Sequence, residues 1–407
     1  LGRAVRELRV AQRGLHASPR AARRIAACRR LCTSTGRSHT GALQEFKAAA
    51  TRSGARSGRL GRGSARTSAD PMTSELCVAC ADGYGNWVQF CLDRGDDVEA
   101  PDQFDRSPLN VAIMNQNVAA AALLLDRGAR VDLVNATGST PLAIACSCGH
   151  AEGAALLLDR GADGHRAKAN GAQPLHVAVA AGHVDAAALL LDRVEVDRAN
   201  LFGWTALYVA CKNGRVDAAR LCLDRGADVE RVDEFGRGPL WMACLEGHTD
   251  AARLCIDRGA DANRADGQGF TPLHAASANG NVATMALCLD RGADVDKATR
   301  DGRTPLFTAL THRHVDAAAL LLDRGAGVDR VDIHGLSPLH GACQKGHVDA
   351  VRLCLDRGAD IDRAARGGAT PLHFVSQEGH IARCGYSSNA EPTSTRRCTT
   401  WASRHFT

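Results

Sequence analysis

The chain has 407 residues, enough for two or three ordinary domains or for one long repeat array, and its apolar (45%) and charged (23%) fractions are globular. Aromatic residues make up only 4%, too few large rings for one compact core of this size, and no run of eighteen apolar residues offers a membrane span. The net charge of +5 is unevenly placed: residues 1–70 hold sixteen Arg or Lys against three acids, and subtracting that +13 leaves −8 for the rest, which argues against a duplex-binding body.

In chain order, residues 1–71 form a basic low-complexity leader rich in Arg, Ala, Ser and Gly. Three readings stand open for it: an organelle transit peptide, a disordered basic arm, or upstream translation with the protein starting at Met72, the first Met of the chain.

From there a period takes over. Pro108, Pro141, Pro174, Pro239, Pro272, Pro305, Pro338 and Pro371 are spaced by 33 except between Pro174 and Pro239, where Ala206 stands 32 residues after Pro174. The missing residue is visible in LDRVEVD, Leu191 to Asp197, where other units read LDRGADVD. Eight full units follow, 102–134, 135–167, 168–199, 200–232, 233–265, 266–298, 299–331 and 332–364, with an incomplete unit from about Met72 and another from Ala365 to near Ile381.

Each unit carries the same local signals. A Ser or Thr precedes the Pro slot in seven of nine cases, so a hydroxyl N-cap and a Pro at the first helical position start a helix. That helix is about eight residues long and ends at a Gly such as Gly149, Gly247 or Gly346, suited to a left-handed exit. A second helix begins at once, with an acid in its first turn (Asp217, Asp349) and Arg then Gly at its end (Arg357, Gly358). Asp and Gly turn signals then form a projecting loop. Helices this short do not survive alone, so neighbours must stack to bury their apolar stripes. The tail, 382–407, departs from the pattern: after Gly379–Ala382 a second helix is due, yet the sequence turns Ser/Thr-rich and low in aliphatics. Either this tail improvises a cap or the reading frame changes there.

T-P-L-H-x-A, then G-H, then L-L-L-D-R-G-A-D-V at a 33-residue pitch resembles the ankyrin repeat family over roughly 72–381. The resemblance implies an all-α ankyrin-repeat solenoid: stacked antiparallel helix pairs with projecting hairpin loops, or fingers, set at roughly right angles. Two departures carry a cost. Gln116 and Arg313 replace the helix-ending Gly, each at about 1 kcal/mol. The deletion near Val194 is expected to disturb stacking or shorten one finger.

Chemistry-bearing residues dissolve into the period. His340 recurs as His176, His274 and His373, but the same slot holds Asn110, Ala143, Tyr208, Trp241 and Phe307, an exchange that no metal ligand or catalytic base tolerates. The resemblance implies a structural His that hydrogen-bonds backbone between adjacent units; His347 and its copies open the second helix and are expected to cap or pack. Cys146, Cys211, Cys244 and Cys343 fall in a small-residue slot of the first helix, and Cys91, Cys222, Cys255, Cys288 and Cys354 in a Leu slot of the second, as expected of reduced, packed thiols. Cys77 and Cys80 have CxxC spacing without a second pair. The repeated Asp-Arg pairs form rows that can interact between neighbouring units, but exposed pairs add only about 0–1 kcal/mol each, so they are read mainly as a solvated face. No phosphate loop or nucleophile elbow appears, so no catalytic, cofactor or metal residues are expected.

A partner would bind where units differ. In ankyrin-like stacks the fingers and the inner face of the first helices form a concave surface. Six of the sixteen aromatics lie between Phe202 and Phe270, and four of them, Phe202, Trp204, Phe235 and Phe270, occupy groove positions. With Arg237, Arg303, Lys212, Asn213, Leu245 and Glu246 they make the candidate protein-binding residues, a composition typical of interface hot spots. The competing structural reading is that these rings brace fingers next to the deletion. The expectation is a monomeric, non-enzymatic scaffold for a protein partner, cytoplasmic or nuclear, without membrane contact and without nucleic acid on the repeat body. The alternative is an organelle-targeted or nuclear adaptor whose basic arm contacts nucleic acid or directs import.

Overall fold

The computed structural model describes residues 74–377. The leader 1–71 and the tail 382–407, with the second helix due after Gly379, lie outside the described residues. Among the described residues there are nineteen helices and no strands, from Glu75–Asp82 to Pro371–Gln377. First helices have seven or eight residues. Second helices have nine, except Val184–Leu191, which has eight.

The expected start signals operate. Ser107, Thr140, Thr205 and Thr304 each accept the N–H three residues on, at 3.1 to 3.3 Å, worth about 1 kcal/mol per cap. Pro occupies the first helical turn wherever it stands. Gln173 lacks a hydroxyl and still forms a capping box with His176; Gly238 provides no side-chain cap. Gln116 and Arg313 hold the left-handed backbone that their Gly counterparts adopt, with φ of 61° and 67°. Asp105, at a finger turn, joins them with φ 59°.

Each first helix packs on its own second helix and on the first helices of its neighbours, and second helices pack in a parallel row. The result is one continuous buried strip from Leu76 to Val375, built from a Leu in every first helix and from rows of Ala and Cys. Tyr208 is its largest fully buried side chain, which explains how so few rings suffice. Each buried Leu contributes roughly 2 kcal/mol, and first helices pack on those of adjacent units, so the stack is cooperative along its length.

Two further ladders tie unit to unit. The Asp-Arg rows are not merely solvated: Arg127, Arg160, Arg193, Arg225, Arg258, Arg291, Arg324 and Arg357 each reach the Asp of the preceding unit at 2.5 to 3.0 Å. Both partners are largely exposed, so each pair adds about 0–1 kcal/mol. Closer to the fingers, carboxylates such as Asp132, Asp197, Asp296 and Asp329 accept a backbone N–H from the next unit.

The deletion shortens the helix Val184–Leu191 and removes its Gly exit, but the ladder passes through it, with Arg193 on Asp159 and Arg225 on Asp192. Stacking continues because a second residue compensates. Gly164 stands where most other units carry Val, and a Cβ there would come within 2.8 Å of Val194 Cγ1. Val194 fills the space that the missing side chain leaves.

Candidate protein-binding surface

The fingers are tight turns rather than ladders of strand. In every unit the N–H of the first finger residue donates to the carbonyl four residues on, as Asn200 does to Trp204 and Asp233 to Arg237 (3.0 Å each). Where the first residue is Asp or Asn, its Oδ1 also accepts the N–H groups two and four residues on, as Asp233 does from Phe235 and Arg237 at 2.9 Å. Side chains at the tip are thereby held at fixed positions along the stack. In the C-terminal half the fingers are also joined to each other, by Gly267 N–H to Phe235 O and Arg300 N–H to Gln268 O.

The His slot locks finger to helix. His176, His274 and His340 accept a backbone N–H at Nδ1 from their own helix start, and Nε2 faces a finger carbonyl of the next unit, Trp204 O, Arg303 O and Ala369 O, at 2.9 to 3.3 Å. This is the inter-unit role that the resemblance implies. Burial holds all three below the usual imidazole range, His274 at about 4. Trp241, in the same slot, sends Nε1–H to the equivalent carbonyl, Phe270 O, at 3.1 Å. Tyr208 instead donates its hydroxyl to Asp233 Oδ2 at 3.0 Å. Asn110 alone among these polar occupants is buried with both amide atoms unpartnered.

The second His position is a second inter-unit lock. His183, His314 and His347 reach back to first-helix carbonyls of the preceding unit, Ser147, Ala278 and Leu310. Asn117, Arg215 and Asn281 do the same with amide or guanidinium donors. His150, whose predecessor unit ends in Gln116 rather than Gly, is buried with Nε2 unpartnered.

Six of the candidate residues form a connected surface. Phe202 lies 5.3 Å from Trp204, Trp204 stacks on Tyr208 at 5.3 Å, and Lys212 Nζ sits 4.0 Å above the Trp204 ring. Tyr208 passes the chain of contacts to Asp233, whose Oδ2 also receives Arg237 Nε at 3.0 Å. Burial pushes the Asp233 carboxyl up, but hydrogen bonds from Arg237, Phe235 N–H and Tyr208 outweigh it and leave it lowered. Arg237 in turn covers Phe235 at 4.6 Å and Trp241 at 5.5 Å. Phe270 follows in the next unit, edge-on to His274. Phe202 and Phe235 are 45% and 57% exposed, and Leu201 beside them 72%.

The remaining candidates sit differently. Asn213 is exposed but its amide donates to Val209 O at the end of its own helix. Leu245 is half-buried against the core and its carbonyl takes Asn279 and Asn281. Glu246 is exposed. Arg303 stands a unit further on, over Phe307 at 5.4 Å. Sequence reasoning missed the buried Tyr208–Asp233 pair beneath the patch; its signal is a Tyr in the His slot 25 residues before an Asp at the finger start.

The thiols are packed as the repeat requires. Among the twelve described thiols only Cys148 is exposed. Burial pushes Cys146, Cys222 and Cys354 up to about 12. Cys77 and Cys80 are buried in the first described helix. Among the described residues no group of three His, Cys, Asp or Glu is placed to hold a metal ion, and no helix is long and apolar enough to cross a membrane.

A comparison with curated proteins returned no match. Among solved structures, the human ASB11 ankyrin repeat domain is 28% identical, with 55% of this chain and 100% of that chain covered and a TM-score of 0.48. The ankyrin repeat domain of Bcl-3, described as a unique member of the IkappaB protein family, is 30% identical over 50% of this chain and 94% of that one, with a TM-score of 0.46. The family model "Ankyrin repeats (3 copies)" matches residues 76–168, 164–233, 223–299 and 240–332, and "Ankyrin repeats (many copies)" matches 339–384. With period, caps, inter-unit His bonds and these matches in agreement, the chain belongs to the ankyrin repeat family.

Proposed function

We propose that this protein is a non-enzymatic scaffold that captures a partner protein on its finger and first-helix surface, centred on Phe202, Trp204, Phe235, Arg237 and Phe270, within a repeat body spanning 72–381. Ankyrin repeats are generally protein–protein interaction modules, and three observations support this location. Exposed Phe202, Phe235 and Leu201 cluster on two adjacent fingers, whereas a monomer's surface rarely groups apolar side chains without a binding role. Cationic side chains lie over the rings, the composition of binding hot spots. The fingers that carry them are fixed by backbone turns, so little entropy is lost on binding.

The observation that carries the reading is the exposure of Phe202 and Phe235. Trp204 is half-buried on Tyr208 and does brace its finger; the two Phe rings do not share that work. Affinity capture with the full chain separates the roles. Changing Phe202→Ala and Phe235→Ala together abolishes capture of the partner and leaves the circular dichroism melt nearly unchanged, whereas Trp204→Ala lowers both. Retained capture in the double variant, or a collapsed melt, refutes the reading.

A further inference from the structure

Past the aromatic stretch the same surface becomes basic. The finger tips and first-helix ends from unit 299–331 to the last described finger carry Arg300, Arg303, Arg313, Lys345 and Arg366, all exposed. Two carboxylates accompany them: exposed Asp301, and Asp332, which is buried, with Oδ1 taken by the His334 and Leu336 N–H groups and Oδ2 4.0 Å from Arg303. Five cations against two acids leave +3. Among the described residues Arg300, Arg313, Lys345 and Arg366 have no carboxylate oxygen within 4.0 Å, whereas every Arg of the helix-end ladder has an Asp. These charges therefore take no part in holding the stack together. Val331 and Ile333, 40% and 44% exposed, lie among them.

The two ends of this chain do not supply the missing negative charge: residues 1–70 carry +13, and 382–407 hold four Arg against one Glu. A second copy meeting this face with its own equivalent face presents the same basic charges. Duplex nucleic acid is disfavoured because the chain beyond the leader carries −8 overall and because apolar side chains are interleaved with the cations. Building on the binding-surface reading above, we infer that the partner contributes an extended acidic segment: an apolar side chain seats against Phe202 and Phe235, and its Asp and Glu residues run along Arg300, Arg303, Lys345 and Arg366. From Phe235 to Arg366 there are four steps between packed units, at about 8–10 Å per step, a span of roughly 35 Å, or about eleven residues of extended chain.

Fluorescence anisotropy on the full chain tests this with three labelled probes: a peptide of about twelve residues with one Trp followed by a run of Glu, the same peptide with Lys for Glu, and a short DNA duplex. The leader attracts any polyanion, so the informative quantity is the change caused by R300E together with R366E, two exposed positions whose reversal leaves the fold intact by circular dichroism. The acidic peptide is expected to lose more than about threefold in affinity, with the loss shrinking as salt rises, and the lysine peptide to gain. A smaller loss for the acidic peptide overturns the inference, and so does a larger loss for the duplex than for the peptide, which assigns the face to nucleic acid. If charge reversal has no effect while Phe202→Ala with Phe235→Ala still abolishes partner capture, the acidic partner class falls and the binding-surface reading stands; if both fail, so does that reading.

Discussion

Asn110 offers a direct test of what the His slot does. Its side chain is 1% exposed, and neither amide atom has a partner. In units 168–199, 266–298 and 332–364 a His at this slot takes one backbone N–H and faces one finger carbonyl of the next unit. Asn110→His replaces two unpartnered polar atoms, each costing about 1–3 kcal/mol when buried, with an inter-unit bond to Ser139 O and a cap on Ser107 N–H. The net gain is about 2 kcal/mol at neutral pH. It comes with a pH signature. A His buried like His274 has its folded value lowered to about 4, so below about 6.5 the unfolded chain binds protons that the folded chain refuses. The stability contribution is full above that value and is lost as pH falls towards 4; at pH 5 the loss is about 2 kcal/mol. The variant's advantage over wild type therefore disappears near pH 5. Hydrogen exchange of the Pro108–Met114 and Pro141–Cys148 amides reads the local stability directly, and urea midpoints give the global counterpart. Unchanged protection at neutral pH, or a gain that persists at pH 5, refutes the account.

Gln116→Gly and Arg313→Gly each relieve a left-handed backbone and stabilise by about 1 kcal/mol; urea midpoints that do not rise in either variant contradict this. Arg258→Ala breaks one rung of the exposed ladder and costs under about 1 kcal/mol, a loss that vanishes in 1 M salt; a salt-independent loss points instead to packing of the Arg stem. Iodoacetamide labelling mapped by mass spectrometry should modify Cys148 first among the twelve described thiols, since it alone among them is exposed to the reagent; early labelling of Cys211 or Cys244 would show that units separate in the native state.

The period made the fold legible. A helix start can be read from Ser107 or Thr271, because a hydroxyl before Pro satisfies the same orphan N–H wherever it occurs. The left-handed strain at Gln116 and Arg313 was equally visible, since only the register against Gly149 and Gly247 is needed to see it. What escaped was side-chain packing across the joint between two particular units. Nothing local marks Val194 as the plug for Gly164; a deletion in one unit and a missing side chain in another matter only once helices are laid side by side. The Asp-Arg rows could be read as charges able to meet between units, but which Arg takes which Asp follows only from the stack, where neighbours in sequence pair with different units in space. At the binding surface the exposed rings were readable as departures from the repeat, but which of them brace and which are free depends on Tyr208, and a buried Tyr in a His slot looks like one more tolerated substitution.

Tyr208 and Trp241 show how a rigid repeat accommodates the proposed binding surface without losing its joints. The slot needs a side chain that ties a first helix to the next finger. Trp241 does so by reaching the carbonyl that a His would face, while Tyr208 reaches the finger carboxylate Asp233. Each substitution also adds a ring under the surface: Tyr208 supports Trp204 from below, and Trp241 lies beneath Arg237. Asp233, held by Tyr208 and by two backbone N–H groups, orients Arg237, and Arg237 covers Phe235. The outermost rings thus rest on groups whose rotamers are fixed by the stack itself. A surface arranged this way loses little side-chain freedom when a partner arrives, so the departures between Phe202 and Phe270 are placed where the repeat's structural demands and preorganised recognition are met by the same atoms.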